Sequence, residues 1–166
     1  MLYLKIGGGA LLILCGTLTG IYCSEGIGKR QRLYEEYIRF LVQVQSIVGY
    51  TAASVADILT GVSGFELINP LLSGTAEQLR QGADFALAWK QSVYGHIGRQ
   101  EDRDFFARFG SSFGTSNCSG ELNKLALYRE SAERKYKELT EEYRTKRRLY
   151  RMVGMFSGAM AAVLML

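Results

Sequence analysis

Charge divides the chain into two uncharged, apolar ends and a charged middle. Residues 6–23 contain no charged side chain, and neither do residues 152–166. All acidic residues, and all basic residues except Lys5, lie between these two ends. A helix needs about 20 apolar residues to cross a bilayer core of about 30 Å. We therefore predict three parts: an N-terminal transmembrane helix (1–24), a helical domain (25–151) and a C-terminal transmembrane helix (152–166).

The middle of the chain shows helical periodicity. In its first segment, apolar residues three and four apart form a wide stripe, typical of a helix buried between two neighbours: Leu33, Tyr37, Phe40, Val44 and Ile47. In a later segment, acidic residues that include Asp102 fall in the first turn, where the helix dipole favours them. Glycines and short polar breaks separate six segments. We predict helices at about 30–48, 51–59 (capped by Thr51), 70–81, 84–94, 99–109 and from Cys118 onward.

The last predicted helix is the longest. Asn117 is a suitable N-cap, and the apolar stripe that follows is interrupted only by Arg129. Acidic residues precede basic ones by four positions, the favourable order for helical ion pairs: Glu130 with Arg134, Glu133 with Lys137 and Glu142 with Lys146. We predict about 50 helical residues, continuing into the C-terminal apolar segment. The stripe predicts packing on the domain itself or a coiled coil with a partner.

Basic residues flank both apolar ends on the side of the middle segment. One group follows the first end and the other precedes the second: Lys29, Arg30 and Arg32, then Arg144, Lys146, Arg147, Arg148 and Arg151. Because positive charge stays on the cytoplasmic side of a membrane, we expect a cytoplasmic middle and two outer termini. The same basic groups can bind acidic lipid head groups.

Small residues recur every fourth position in both apolar ends. Gly16 and Gly20 share one face in the first, and Gly154 and Gly158 share one face in the second. Such spacing lets membrane helices pack closely together, although glycine is also simply common in membrane helices. Two alternatives remain open at this point. The first end resembles a cleavable signal peptide, which would make the protein a secreted one, and the 15-residue second end is short enough to dip into the bilayer.

The sequence offers little that points to catalysis or metal binding. Its three cysteines are too scattered for a disulfide framework. His96, the single histidine, has no acidic or cysteine cluster near it in sequence. The run GSSFG at Gly110–Gly114 lacks the lysine of a phosphate-binding P-loop. We therefore predict a protein that is not an enzyme, with no cofactor, no metal and no nucleic-acid partner.

One stretch carries a family resemblance. It is D-x-x-x-F-x-x-x-G-S-S-F-G-T-S, from Asp102 to Ser116, and a long charged helix and an apolar end follow it. The segments GYTAASVADIL and GADFALAW lie in the expected order before it. The chain resembles the stage III sporulation protein AB family of endospore-forming bacteria. It departs from that family at Ser116 and Asn117, where an acidic residue is common, and it lacks a proline after the early glycine.

The resemblance implies a fold and a role. The family is similar to the cytoplasmic domains of type II secretion and type IV pilus platform proteins. The implied fold is therefore all-α, a six-helix antiparallel bundle between two transmembrane helices. The implied role is a non-enzymatic platform in the mother-cell membrane around the forespore. Its expected partners are a cytoplasmic ATPase, the AA member of the same operon, and the other membrane subunits of the apparatus; a homo-oligomer is left open.

Four charged residues near the GSSFG loop are the predicted contacts with that ATPase: Arg103, Arg108, Glu121 and Lys124. We expect them to be exposed, and the alternative interpretation is ordinary solvated helix surface. A second hypothesis for the whole protein is a membrane-anchored regulator or sensor with a ligand-binding helical domain. A deep polar pocket with converging titratable groups would favour that second hypothesis.

Overall fold

The computed structural model describes Gly26 and residues 28–50 and 54–165, without the side chains of residues 151, 157–159 and 161–165. The predicted N-terminal transmembrane helix lies outside the described residues. So do Gly16, Gly20 and the surroundings of Gly158, and their predicted packing roles stay predictions. Gly154 is described and is buried.

All secondary structure in the described residues is helical, which confirms the all-α class. The helices are α1 (28–50), α2 (Val55–Gly61), α3 (Asn69–Arg80), α4 (Phe85–His96), α5 (Gln100–Ser112) and α6 (Cys118–Met165). Helix α6 has 48 residues, as its uninterrupted pattern predicts. The cap of α2 is Ser54, whose hydroxyl accepts the Asp57 amide hydrogen. The prediction that Thr51 caps this helix is therefore wrong: α2 begins at Val55 rather than at the predicted position 51.

The chain divides into two compact units. The central unit is Leu33–Lys135, and the terminal unit combines Met1–Arg32 with Tyr136–Leu166. In the central unit, α3 packs against both α2 and α4, and α4 also packs against α5. These contacts build a helical bundle around the apolar face of α1.

An aromatic cluster fills the core of the central unit. Tyr37 and Phe40 of α1 are fully buried, as are Trp89 of α4 and Phe106 and Phe109 of α5. Ring centroids lie 4.4 Å apart for Tyr37 and Phe106, and 5.0 Å apart for Trp89 and Phe109. Such pairs add about 0.5–1.5 kcal/mol each beyond the burial of their surface. The cluster therefore fixes α4 and α5 against α1.

Gly110 allows the closest approach in this core. A Cβ atom on Gly110 would overlap Cδ1 of Trp89, at a separation that real Cβ atoms essentially never show. The indole N–H of Trp89 donates to the carbonyl of Phe106, one turn earlier in α5, at 2.8 Å. The Trp89 ring is thus packed against the α5 backbone and hydrogen-bonded to it, with no room for a larger residue at position 110.

Two buried carboxylates stabilise the ends of helices. The Tyr34 hydroxyl donates to Asp102, which is 1% exposed in the first turn of α5, at 2.9 Å. Glu36 accepts backbone N–H groups just before α3, with its closest bond 2.8 Å from Leu67. Helix α3 has no side-chain cap at Ile68, so Glu36 satisfies amide groups that would otherwise be unpaired.

The described part of the terminal unit comprises the start of α1 and the second half of α6. Leu139 is buried, and the Gln31 amide donates to the Tyr136 hydroxyl at 3.3 Å. No helix among the described residues contains a stretch long and apolar enough to cross a membrane. The C-terminal transmembrane helix over 152–166 remains a prediction.

Gly110→Ala tests the close approach to Trp89. We expect it to lower the unfolding free energy of the central unit by about 1–3 kcal/mol, because the added methyl group overpacks the core. Urea unfolding of the full chain in a mild neutral detergent, followed by far-UV circular dichroism, measures the change.

Gly95→Ala in α4 is the matched control. A Cβ there meets nothing within 4 Å, so alanine should stabilise the helix by about 0.5–1 kcal/mol. Equal effects of the two substitutions would contradict the packing role of Gly110.

Candidate functional site

The loop between α5 and α6, residues 113–117, contains the end of the motif that carries the family resemblance. Phe113 ends α5 in an extended conformation, and Gly114 follows with φ +81°. That left-handed conformation favours glycine, since other residues carry a steric penalty there. Phe113 is buried and stacks on Phe109 at 4.9 Å, while residues 114–117 are exposed. The loop is thus anchored at one end and presented to solvent at the other.

Glu121, in the first turn of α6, accepts hydrogen bonds from the backbone of the loop. Its carboxylate accepts the Gly114 N–H at 3.1 Å and the Ser116 N–H at 2.8 Å. The residue is only 6% exposed. Two charge-assisted bonds to backbone amides, each stronger than a neutral bond, therefore fix the path of the loop.

Lys124, one turn further along α6, completes the support. Its ammonium group donates to the Ser112 carbonyl and the Thr115 hydroxyl, both at 2.9 Å. It also pairs with Glu121 at 3.2 Å. The lysine therefore supplies a hydrogen-bond donor to the last carbonyl of α5 and neutralises the buried Glu121 carboxylate.

The start of α6 and the end of α5 are each stabilised by a further hydrogen bond. The Asn117 side chain accepts the Gly120 N–H at 2.9 Å, which confirms the predicted N-cap. The Tyr128 hydroxyl donates to the Arg108 carbonyl at 2.9 Å. These bonds leave the loop with a defined conformation and a polar exposed rim.

Opposing effects act on the pKa of Glu121. Burial alone would raise it, but the amides of Gly114 and Ser116 and the ammonium group of Lys124 favour the ionised form. The net result is a pKa below the ordinary value of 4.5. The carboxylate is therefore charged at neutral pH and serves as an acceptor, not as a proton donor.

The structure brings only two of the four predicted contact residues to this loop, Glu121 and Lys124. Arg108 lies on α5 before the loop, and Arg103 lies near the opposite end of α5. Glu121 is buried, which corrects the expectation of an exposed charge there, and Lys124 is occupied by the loop. Arg103 donates to the carbonyl of Ile97 and lies 5.7 Å from the Tyr94 ring centroid. Of the four, only Arg108 has an exposed side chain. Their roles as partner contacts stay predictions.

A shallow cleft of about 410 Å³ lies beside the loop. Its wall is largely apolar, with Val48, Val55, Ile58 and Phe113 among the lining residues, and Glu121 is its charged member. Glu121 is the one carboxylate among the described lining residues, and it is bonded to the loop, so these residues do not form a cluster of converging charged groups. Within the described residues, no three His, Cys, Asp or Glu side chains gather where they could hold a metal ion.

Glu121→Gln tests the carboxylate as the support of the loop. The substitution removes the charge and should lower the unfolding free energy by about 2 kcal/mol at pH 7. Glu130→Gln is the control: its ion pair with Arg134 is exposed and should contribute no more than about 0.5 kcal/mol.

The pH dependence of stability provides a second test of the Glu121→Gln substitution. Since the folded-state pKa of Glu121 lies below 4.5, its contribution is complete above that pH and is lost as the pH falls through the lowered value. The stability difference between wild type and Glu121→Gln should therefore shrink below pH 4.5. A difference that stays constant down to pH 3 would contradict this assignment.

Comparison with known proteins gives one family. Residues 5–166 match the stage III sporulation protein AB family. No curated protein and no solved structure matches the chain. The family match covers nearly the whole sequence, including the α5–α6 loop and both apolar ends, so the chain belongs to the stage III sporulation protein AB family.

Proposed function

We propose that the protein is a non-enzymatic assembly platform of a secretion-like apparatus between mother cell and forespore. It lies in the mother-cell membrane around the forespore, with the central unit in the cytoplasm. The observation that carries this proposal is the way in which the α5–α6 loop is held in place. Glu121 and Lys124 use their charged groups to hold it, and its exposed rim carries no charged residue of its own. Such a loop is suited to contact a partner, not to transform a substrate.

A rigid loop favours binding for a physical reason. A surface that is already ordered loses little conformational entropy when a partner docks, so more of the contact energy appears as affinity. The family's role in sporulation supports a partner within the sporulation apparatus. We propose the AA-type ATPase as that partner, with other membrane subunits of the apparatus as further contacts. An antiparallel bundle like the platform domains of type II secretion belongs to the same proposal.

The membrane part of the proposal is supported by the surface of α6 in the terminal unit. Beyond Arg148, exposed apolar side chains follow one another, with Val153 62% and Phe156 69% exposed. Exposed apolar surface of this kind is typical of contact with lipid or another protein. The basic residues before it favour a cytoplasmic central unit.

Arg108→Glu tests the docking surface. The side chain is exposed on α5, five residues before the loop. Charge reversal there should weaken co-purification of the AA-type ATPase at least tenfold, about 1.4 kcal/mol, without lowering thermal stability. Arg80→Glu is the matched control, because Arg80 is exposed at the end of α3. Undiminished ATPase binding by Arg108→Glu would remove this residue from the interface.

The topology is tested by reporter fusions. Reporters active only outside the cytoplasm should be active at either terminus and inactive when inserted in the turn at Gln81–Gly82, which is exposed in the central unit. Carbonate extraction should leave the chain in the membrane fraction, and mass spectrometry should find Met1 intact. Activity at the inserted site, or a cytoplasmic C-terminus, would contradict the two-span arrangement.

A further inference from the structure

A cluster of arginines on α6, in the terminal unit, is followed along the helix by methionines. A cleft of about 540 Å³ is lined by Arg144, Arg147, Arg148, Met152 and Met155. All five side chains are exposed. Along α6, the arginines come first and the flexible, apolar methionine side chains follow. The cleft lies outside the central unit and is not explained by ATPase binding.

The arginines are only weakly engaged within the protein. Arg144 lies 4.0 Å from Glu141, and both side chains are about three-quarters exposed. Arg147 lies over the Tyr143 ring, 5.9 Å from its centroid. The neighbouring acid, Glu142, pairs instead with Lys146. Exposed pairs of this kind contribute little, so the guanidinium groups can bind an external anion at small cost.

Charge along this part of α6 changes abruptly. After Glu142 no acidic residue occurs in the remainder of the chain, and after Arg151 no basic one occurs. Met155 lies about 11 Å along the helix axis from Arg148, at 1.5 Å per residue. That separation matches the step from the head groups of a bilayer into its acyl region.

We propose that this cleft binds the phosphate of an anionic phospholipid head group. The planar guanidinium groups offer paired N–H donors that fit phosphate oxygens, while Met152 and Met155 contact the start of the acyl chains. A soluble phosphate would use the arginines alone and leave the methionines without a partner. The inference rests on the proposed membrane placement and adds to it a preference for anionic lipid.

The test uses the full-length chain purified in a neutral detergent. Phosphatidylglycerol is added against an excess of phosphatidylcholine, and native mass spectrometry counts the bound lipids. Wild type should retain phosphatidylglycerol selectively. Each Arg→Gln substitution should weaken its binding about fivefold, and the combined R144Q/R147Q/R148Q about a hundredfold. Arg147→Lys should lie between, because it keeps the charge and loses the paired donors.

Two controls make the result specific. The combination R80Q/R134Q/K137Q removes the same charge from other exposed positions and should leave phosphatidylglycerol binding unchanged. Inorganic phosphate at millimolar concentration should not displace the lipid. Equal losses in the two triple variants would overturn the site, as would displacement by inorganic phosphate. Full retention of selectivity in R144Q/R147Q/R148Q would overturn it too.

Membrane fractionation separates this inference from the proposed function. If wild type is released by carbonate, the membrane placement fails. If the wild type and the R144Q/R147Q/R148Q variant both stay in the membrane while lipid selectivity is unchanged, only the head-group site fails. Circular dichroism of each variant, expected to match wild type, checks that the helix remains folded.

Discussion

The close approach of the Trp89 ring to the α5 backbone at Gly110 is the contact on which the central unit depends. It sets the separation of α4 and α5, and the Trp89 hydrogen bond to Phe106 fixes the register between them. Helix α5 ends two residues after Gly110, so the α5–α6 loop begins directly beyond this contact. The stretch that carries the family resemblance therefore combines core and surface positions: Asp102, Phe106, Gly110 and Phe113 are buried, and residues 114–116 are exposed.

The loop illustrates how charge can serve structure at a candidate interface. Glu121 and Lys124 form a buried and a half-buried charge that neutralise one another and satisfy backbone groups of the loop. Removing either partner would leave the other without its counter-ion, which is costly in a partly desolvated position. Two of the four charges predicted to contact a partner are thus committed to shaping the surface. Of the four, Arg108 has the exposed side chain, on α5 five residues before the loop.

The two units of the chain differ in the kind of surface they expose. The described rim of the central unit is polar and ordered, as expected for a protein contact. The described end of α6 exposes cations followed by apolar side chains, an order that suits a lipid boundary. The proposed platform role needs both kinds of surface, one for soluble partners and one for the membrane, and the two surfaces lie in separate units.

The sequence alone determined the helical class, the approximate bounds of the helices other than the start of α2, the length of α6 and the Asn117 cap. These features depend on local periodicity and capping chemistry, which neighbouring residues carry. Tertiary structure alone decided that Asp102 is buried against Tyr34, that Glu36 stabilises the start of α3 and that Glu121 is an internal support. Each pairs a side chain with a separate segment, so no local pattern distinguishes these carboxylates from the solvated ones beside them. The two apolar ends, by contrast, could be recognised from the sequence, because an uninterrupted run of uncharged residues is a local property of the chain.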